Sequence, residues 1–343
     1  MAQINKPNTQ FSILPYSGTN TSTSYNNGLN MSANGGLVWI KPRVTGSNGL
    51  WDSVRGATNY LSSNSTSAES QVSGVTSFDT TGFTLGVPYN DGSPPNTFVS
   101  WSWLAGGTAV SNTQGTITSS VSANTTAGFS IVSYTGTGSV ATVGHGLGVA
   151  PSMMIIKKRN VSEDWMVYHK SLTATNYIKL NLGDQTFANS VVWNNTEPTS
   201  SSFTIATSGA VNTSSATYIA YCFAEKKGFS KFGSYTGNGS ADGTFVYTGF
   251  KPAFVMVKRT DSTGSWLIHD NKRNDFNVAD LWVASNLSNA ESTSSAESKD
   301  FLSNGWKIRG TGTAQNVSGG TYIYMAFAES PLVGTNNIPT TAR

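Results

Sequence analysis

One phrase, written three times, constrains this 343-residue chain more than any other feature. "FSILPYSGTN" begins at Phe11, "FSIVSYTGTGS" at Phe129 and "FSKFGSYTGNGS" at Phe229. A period near one hundred residues is a domain-sized unit, too long for a propeller blade or a solenoid coil. Later features fall into line behind each phrase. A strand-like run ends in lysine at Lys41, Lys157 and Lys258. In the second and third copies it follows Pro151 and Pro252, and proline is tolerated at the first position of a strand. A tryptophan comes next: Trp51, Trp165 and Trp266. An aromatic and an asparagine follow, as Tyr60 and Asn64, Tyr177 and Asn181, Trp282 and Asn286. Around that asparagine copies one and three share "SNSTSAE" and "SNLSNAE", a continuation copy two lacks.

Each copy closes on an aromatic strand: "FVSWSWLAG", "YIAYCFAEK" and "YIYMAFAES". In the first, Val99, Trp101 and Trp103 share one face and Ser100 and Ser102 the other, the period of a half-buried strand. The third is apolar on both faces, so it reads as a central strand or one covered by a neighbouring subunit. The pattern predicts an all-β chain of three tandem homologous antiparallel β-sandwich domains, at 11–105, 129–228 and 229–331. Residues 1–10 read as an N-terminal arm and 332–343 as a C-terminal tail, both needing a partner to be ordered. The Gly/Ser/Thr-rich stretch 106–128 reads as a linker or extended arm. Copies two and three, joined almost directly, are expected to form a stiff pair, with copy one placed more independently.

Composition narrows the function. Charged residues make up 11%, while Ser, Thr, Asn and Gly abound; such a surface favours strands and turns over helices. Net charge is +3, and the short cationic runs such as Lys157-Lys158-Arg159 are scattered, which argues against a nucleic-acid partner. Cys222 is the single cysteine, so no intrachain disulfide can form. No run reaches membrane-spanning length and the N-terminus shows no secretory h-region.

Catalysis finds little support in the motifs. His145, His169 and His269 lack the partner spacing of a metal site, and neither HExxH nor CxxC occurs. His169 and His269 read as near-equivalent strand positions, with Val54-Arg55 in their place in copy one. His269 and Asp270 are neighbours in sequence and therefore face opposite sides of a strand. The GxGxxA match at Gly136–Ala141 is followed by "TVGHGLGVAPS", which cannot form the helix a dinucleotide site needs. No enzyme activity and no cofactor is expected. The sharpest candidates are Trp51, Trp165 and Trp266. Exposed, they would stack on sugar rings with repeat-derived avidity; buried, each would plug the core of its own sandwich, which their regular recurrence favours. Tyr16, Tyr134 and Tyr235 read as core or corner tyrosines.

Several long strings carry a resemblance. "MAQINKP", "DSVRGATNYLSSNSTSAE", "TSFDTTGFTLG", "VGHGLGVAPSMMIIKKR", "WMVYHKSL" and the continuous stretch from "YIAYCFAEKKGF" to "VKRTDSTGSW" resemble a repeat family among virion-associated proteins of tailed bacteriophages, especially marine ones. The resemblance spans nearly the whole chain. It implies a non-enzymatic structural protein of the particle, made in the bacterial cytoplasm: a tail fibre, a head fibre or a capsid decoration. It also implies a lectin-like jelly roll for each unit. Partners expected on that basis are other virion proteins, further copies of the chain (a trimer suits a fibre) and a host-surface glycan. A carbohydrate-binding module and a glycan-degrading tailspike are the rival readings.

Overall fold

The computed structural model describes residue 4 and residues 6–92 and 96–329. The predicted C-terminal tail, 332–343, lies outside the described residues. The chain is nearly all β, in antiparallel sheets with no closed barrel. Its helices are short, the α-helical ones Met31–Asn34, Ser190–Trp193 and Gly209–Asn212.

Each copy builds one large and one small sheet. In copy one the large sheet runs Phe11–Ser17, Thr97–Leu104, Gly36–Pro42, Gly49–Asp52, Asn59–Ser62, Ser70–Gln71. Copy three repeats that order with Ser230–Thr236, Thr321–Phe327, Phe254–Arg259, Leu267–Asp270, Leu281–Ala284 and Ser292–Thr293. Copy two does the same, with Phe129–Thr135 beside Thr217–Phe223. The closing strand of each copy is thus a central one. That of copy three needs no neighbouring subunit: Ile323, Met325 and Phe327 pack on one side, and Tyr322, Tyr324 and Ala326 on the other.

The small sheets are Thr23–Asn26, Gly82–Leu85, Val75–Asp79 in copy one, Ala141–Gly144 with Ser202–Ile205 in copy two, and Phe245–Tyr247, Gly305–Ile308, Lys299–Leu302 in copy three. A private core lies between large and small sheet in each copy. The opening phrases supply matching corners. Tyr16, Tyr134 and Tyr235 are buried, and their hydroxyls donate to the carbonyls of Tyr89, Val211 and Gln315, each at 2.8 Å.

The other face of all three large sheets packs into one common core. Strand register makes Trp103, Phe223 and Phe327 equivalent: each faces the opening strand on one side and the lysine-bearing strand on the other. These three rings meet in a triangle, with centroids 5.5, 5.9 and 6.0 Å apart. The expectation that copy one sits apart is therefore corrected. A sheet with both faces apolar must cover both, and each copy covers its second face with the other two.

The linker assignment is corrected as well. Val110–Asn112 and Ser119–Asn124 are strands that extend the sheet of copy two beyond Phe129–Thr135. Val121 packs inward while Ser120 is exposed, and hairpin closure at 124–129 sets the register. The described residues of the N-terminal arm are likewise engaged within the chain. Ile4 is buried in the common core, and its N–H donates to Lys227 O at 3.1 Å.

Candidate binding face

The seams between copies show where the predicted residues go. They follow one cyclic rule: copy one leans on copy three, three on two, and two on one. Lys41 Nζ donates to Leu287 O at 3.1 Å, Lys157 Nζ to Thr66 O at 2.9 Å and Lys258 Nζ to Gly183 O at 3.2 Å. Backbone bonds repeat the pattern, from Gly46 to Ser288, Glu163 to Thr66 and Gly264 to Gly183. Burial pushes each of these three ammonium groups down to about 8. The penultimate lysine of Gly36–Pro42, Met153–Lys158 and Phe254–Arg259 is thus a seam clasp.

Trp51, Trp165 and Trp266 are all buried, so none offers a ring face to solvent. Their alignment is also corrected. Register places Asp52, His169 and Asp270 at one position, opposite Leu37, Met153 and Phe254. Counting back, the counterpart of Trp165 and Trp266 in copy one is Asn48. Chemistry agrees. Trp165 Nε1 donates to Ser62 O and Trp266 Nε1 to Lys179 O, both at 2.9 Å, while Asn48 Nδ2 reaches Ser285 O at 2.7 Å. Trp51 instead fills the private core of copy one, against Tyr60 and Tyr89. The histidines are not equivalent to one another: His169 shares the Asp52 position, and His269 shares that of Trp51 and Tyr168.

Buried ion pairs follow the same register. Asp52 pairs with Arg55 and Asp270 with Arg273, all four side chains fully buried. Each aspartate also receives a donor from another copy: Tyr221 Oη on Asp52 at 2.7 Å, Trp101 Nε1 on Asp270 at 3.1 Å. In copy two His169 holds that place, and its Nε2 lies 3.1 Å from Tyr324 O. Further out, Arg159 crosses to Glu69 and Arg43 to Glu291, at 2.7 and 2.6 Å. These glutamates end the "SNSTSAE" and "SNLSNAE" strings. Copy two lacks the string, and Arg259 there stays within copy three on Asp261.

Copy three departs from its sisters in two places. Its private core holds Lys299 where register puts Val75 in copy one. Lys299 Nζ lies 5.0 Å from the Trp306 ring, and burial lowers it to about 7; burial raises Glu297 to about 7. His269 Nε2 contacts Glu297 O at 2.7 Å, and burial holds its ring well below the usual range. Among the described residues no group of three His, Cys, Asp or Glu is placed to hold a metal.

The second departure is on the surface. The outward face of the small sheet carries Ser24 and Asn26 in copy one, and Thr142 and Gly144 in copy two, where the Thr142 hydroxyl accepts from the Thr116 N–H at 2.9 Å. At the same register copy three carries Phe245 and Tyr247. Beside them the segment 276–279 runs along Lys299–Leu302, held by a bridge at Ala279 and by the Asn277 side chain on the Phe301 backbone at 2.9 Å. Phe245, Tyr247, Phe276 and Val278 are 43%, 63%, 79% and 48% exposed. Among the described residues, the strongly exposed aromatics are Phe245, Tyr247 and Phe276, all in copy three. The centre of the face is charged and balanced. Lys307 and Arg309 bond Asp242, and Arg309 also bonds Asp300. Sequence reasoning missed this face because "FVY" alternates in either direction; the signal was an aromatic pair flanking Val246 where the sister copies have Ser, Asn, Thr or Gly.

Comparison with known families gives one match. A domain of unknown function (DUF7483) matches residues 6–331, and so runs through all three copies as one unit. No curated protein matches the chain.

Proposed function

The chain belongs to the DUF7483 family, whose description carries no function, and on the resemblance of its sequence to virion-associated proteins we propose that it is a non-enzymatic structural protein of a bacteriophage particle, most plainly a fibre or other surface appendage that contributes to host attachment. Each copy serves in this reading as a lectin-like β-sandwich, and three of them form a single rigid body. The observation that carries the reading is the closed ring of copies around the Trp103–Phe223–Phe327 triangle. A body whose interior is spent on mutual packing has its outer sheets and loops left for contact.

The ends of the strands support a polarity. Ile4 bonds the copy two–three junction, and the Glu329 carboxylate accepts from the Ile13 N–H. The described chain therefore enters and leaves near the start of the opening strands. The loops after Tyr16, Tyr134 and Tyr235, which differ most between copies, sit at the far end, about 20 Å away for a seven-residue strand. In this reading those variable loops form the presenting end. A capsid decoration is the second reading, favoured by the same ring: a single chain of three-fold shape suits a three-fold position on a partner.

Antibody labelling of purified particles tests this. Label at tail or head appendages is the expected result, and label at regular capsid positions selects the decoration. Absence of the chain from purified particles overturns both.

A further inference from the structure

We propose that the outward face of the copy three small sheet binds a neutral oligosaccharide. It deepens the attachment reading by naming the ligand class.

The first argument is a comparison inside the molecule. Three sheets share one register, yet exposed aromatics occur on one of them. If Phe245 and Tyr247 served folding, the exposed Ser24 and Asn26 would not stand in the same places of copy one. The second is size. Four neighbouring strands spaced about 4.8 Å apart and two outward residues deep span roughly 15 by 7 Å. That platform is long and narrow, the outline of a short chain of flat rings. A face this small suits a flat, short ligand.

The third argument is charge. Two cations, Lys307 and Arg309, and two carboxylates, Asp242 and Asp300, neutralise one another across the centre. A polyanion would find no surplus of positive charge there. A sugar suits both features: its C–H face lies on the aromatic rings, and its hydroxyls bond the ammonium and carboxylate groups between them. Asp242 is well placed for that, since its side chain is 79% exposed while held by Lys307.

The test uses the intact chain on an array of neutral and acidic oligosaccharides, with hits titrated by calorimetry. At least one neutral glycan binds, and Tyr247→Ala or Phe276→Ala weakens it about tenfold, the scale of one lost ring contact. Ser24→Ala and Thr142→Ala, on the sister sheets, leave affinity unchanged. Tyr247, Phe276 and Ser24 are exposed, so their variants keep the fold, and circular dichroism checks this for every variant, Thr142→Ala included. No binding to any neutral glycan, binding confined to acidic glycans, or full affinity in the Tyr247→Ala, Phe276→Ala double variant overturns the proposal. An empty array leaves the particle reading standing, because that is judged by labelling.

Discussion

The inner and outer sheets of the same repeat obey different constraints. On the inner side the equivalent positions hold Trp103, Phe223 and Phe327, or Lys41, Lys157 and Lys258, and each does the same job in its copy. On the outer side the equivalent positions hold Ser24, Thr142 and Phe245, and nothing is shared. Where a side chain must fit two other copies at once, substitution is limited by packing on every side. Where it meets solvent, it is free to specialise. Repetition is therefore a record of which faces are buried, within a copy as at Tyr16, Tyr134 and Tyr235 or between copies as at the triangle.

That contrast can be broken most forcefully at the triangle. Phe327→Ala removes one corner and leaves a cavity shared by all three copies, at a cost of about 3–5 kcal/mol. Urea unfolding of the variant reads it directly. Tyr247→Ala, an equally large truncation on the outer side, changes stability by no more than about 0.5 kcal/mol.

The buried pairs come next. Asp270→Asn keeps the shape but leaves the buried Arg273 guanidinium with Glu291 as its remaining counter-ion, costing about 2–3 kcal/mol. A measured cost below half of that would show the site to be wetter than its burial implies.

The clasp lysines give the contrast a pH signature. In the unfolded chain lysine titrates near its ordinary value of 10.5, whereas Lys41, Lys157 and Lys258 are lowered to about 8. Between those values the unfolded state binds more protons, so stability rises as pH rises from about 8 toward 10. Lys299, lowered to about 7, begins the same rise one unit earlier. Glu297 acts oppositely: raised to about 7, it gives up stability as pH climbs from 4.5 to 7. Urea midpoints across pH 7 to 9.5 should climb, and Lys157→Met should flatten the climb.

The smallest effects separate the seams. Arg159→Ala removes a partly exposed cross-copy pair with Glu69 and costs about 1 kcal/mol. Arg259→Ala, whose partner Asp261 lies in its own copy, costs less than about 0.5 kcal/mol. Equal costs would mean that crossing the seam adds nothing.

Much of this was legible in advance. The all-β character followed from alternation such as Val99, Trp101, Trp103, and the burial of the corner tyrosines from their recurrence. The pairing of Arg43 and Arg159 with the "SNSTSAE" type of string was present in the sequence but unread. Mutual placement was not legible, because periodicity says that a strand has two apolar faces without saying what covers the second. The tryptophan alignment failed because the loops before the third strand differ in length between copies. Only register showed Asn48 doing the work of Trp165. The linker hid its strands because "SSVSAN" alternates around a single valine, too weak a pattern to outweigh its glycine and serine neighbours.

The central claim is that the three copies fold as one body around a common core. Scanning calorimetry of the full chain tests it most directly. The account predicts a single transition whose calorimetric and van't Hoff enthalpies agree, shifted as a whole by Phe327→Ala. Separate transitions, with that substitution moving the copy three transition alone, would contradict it.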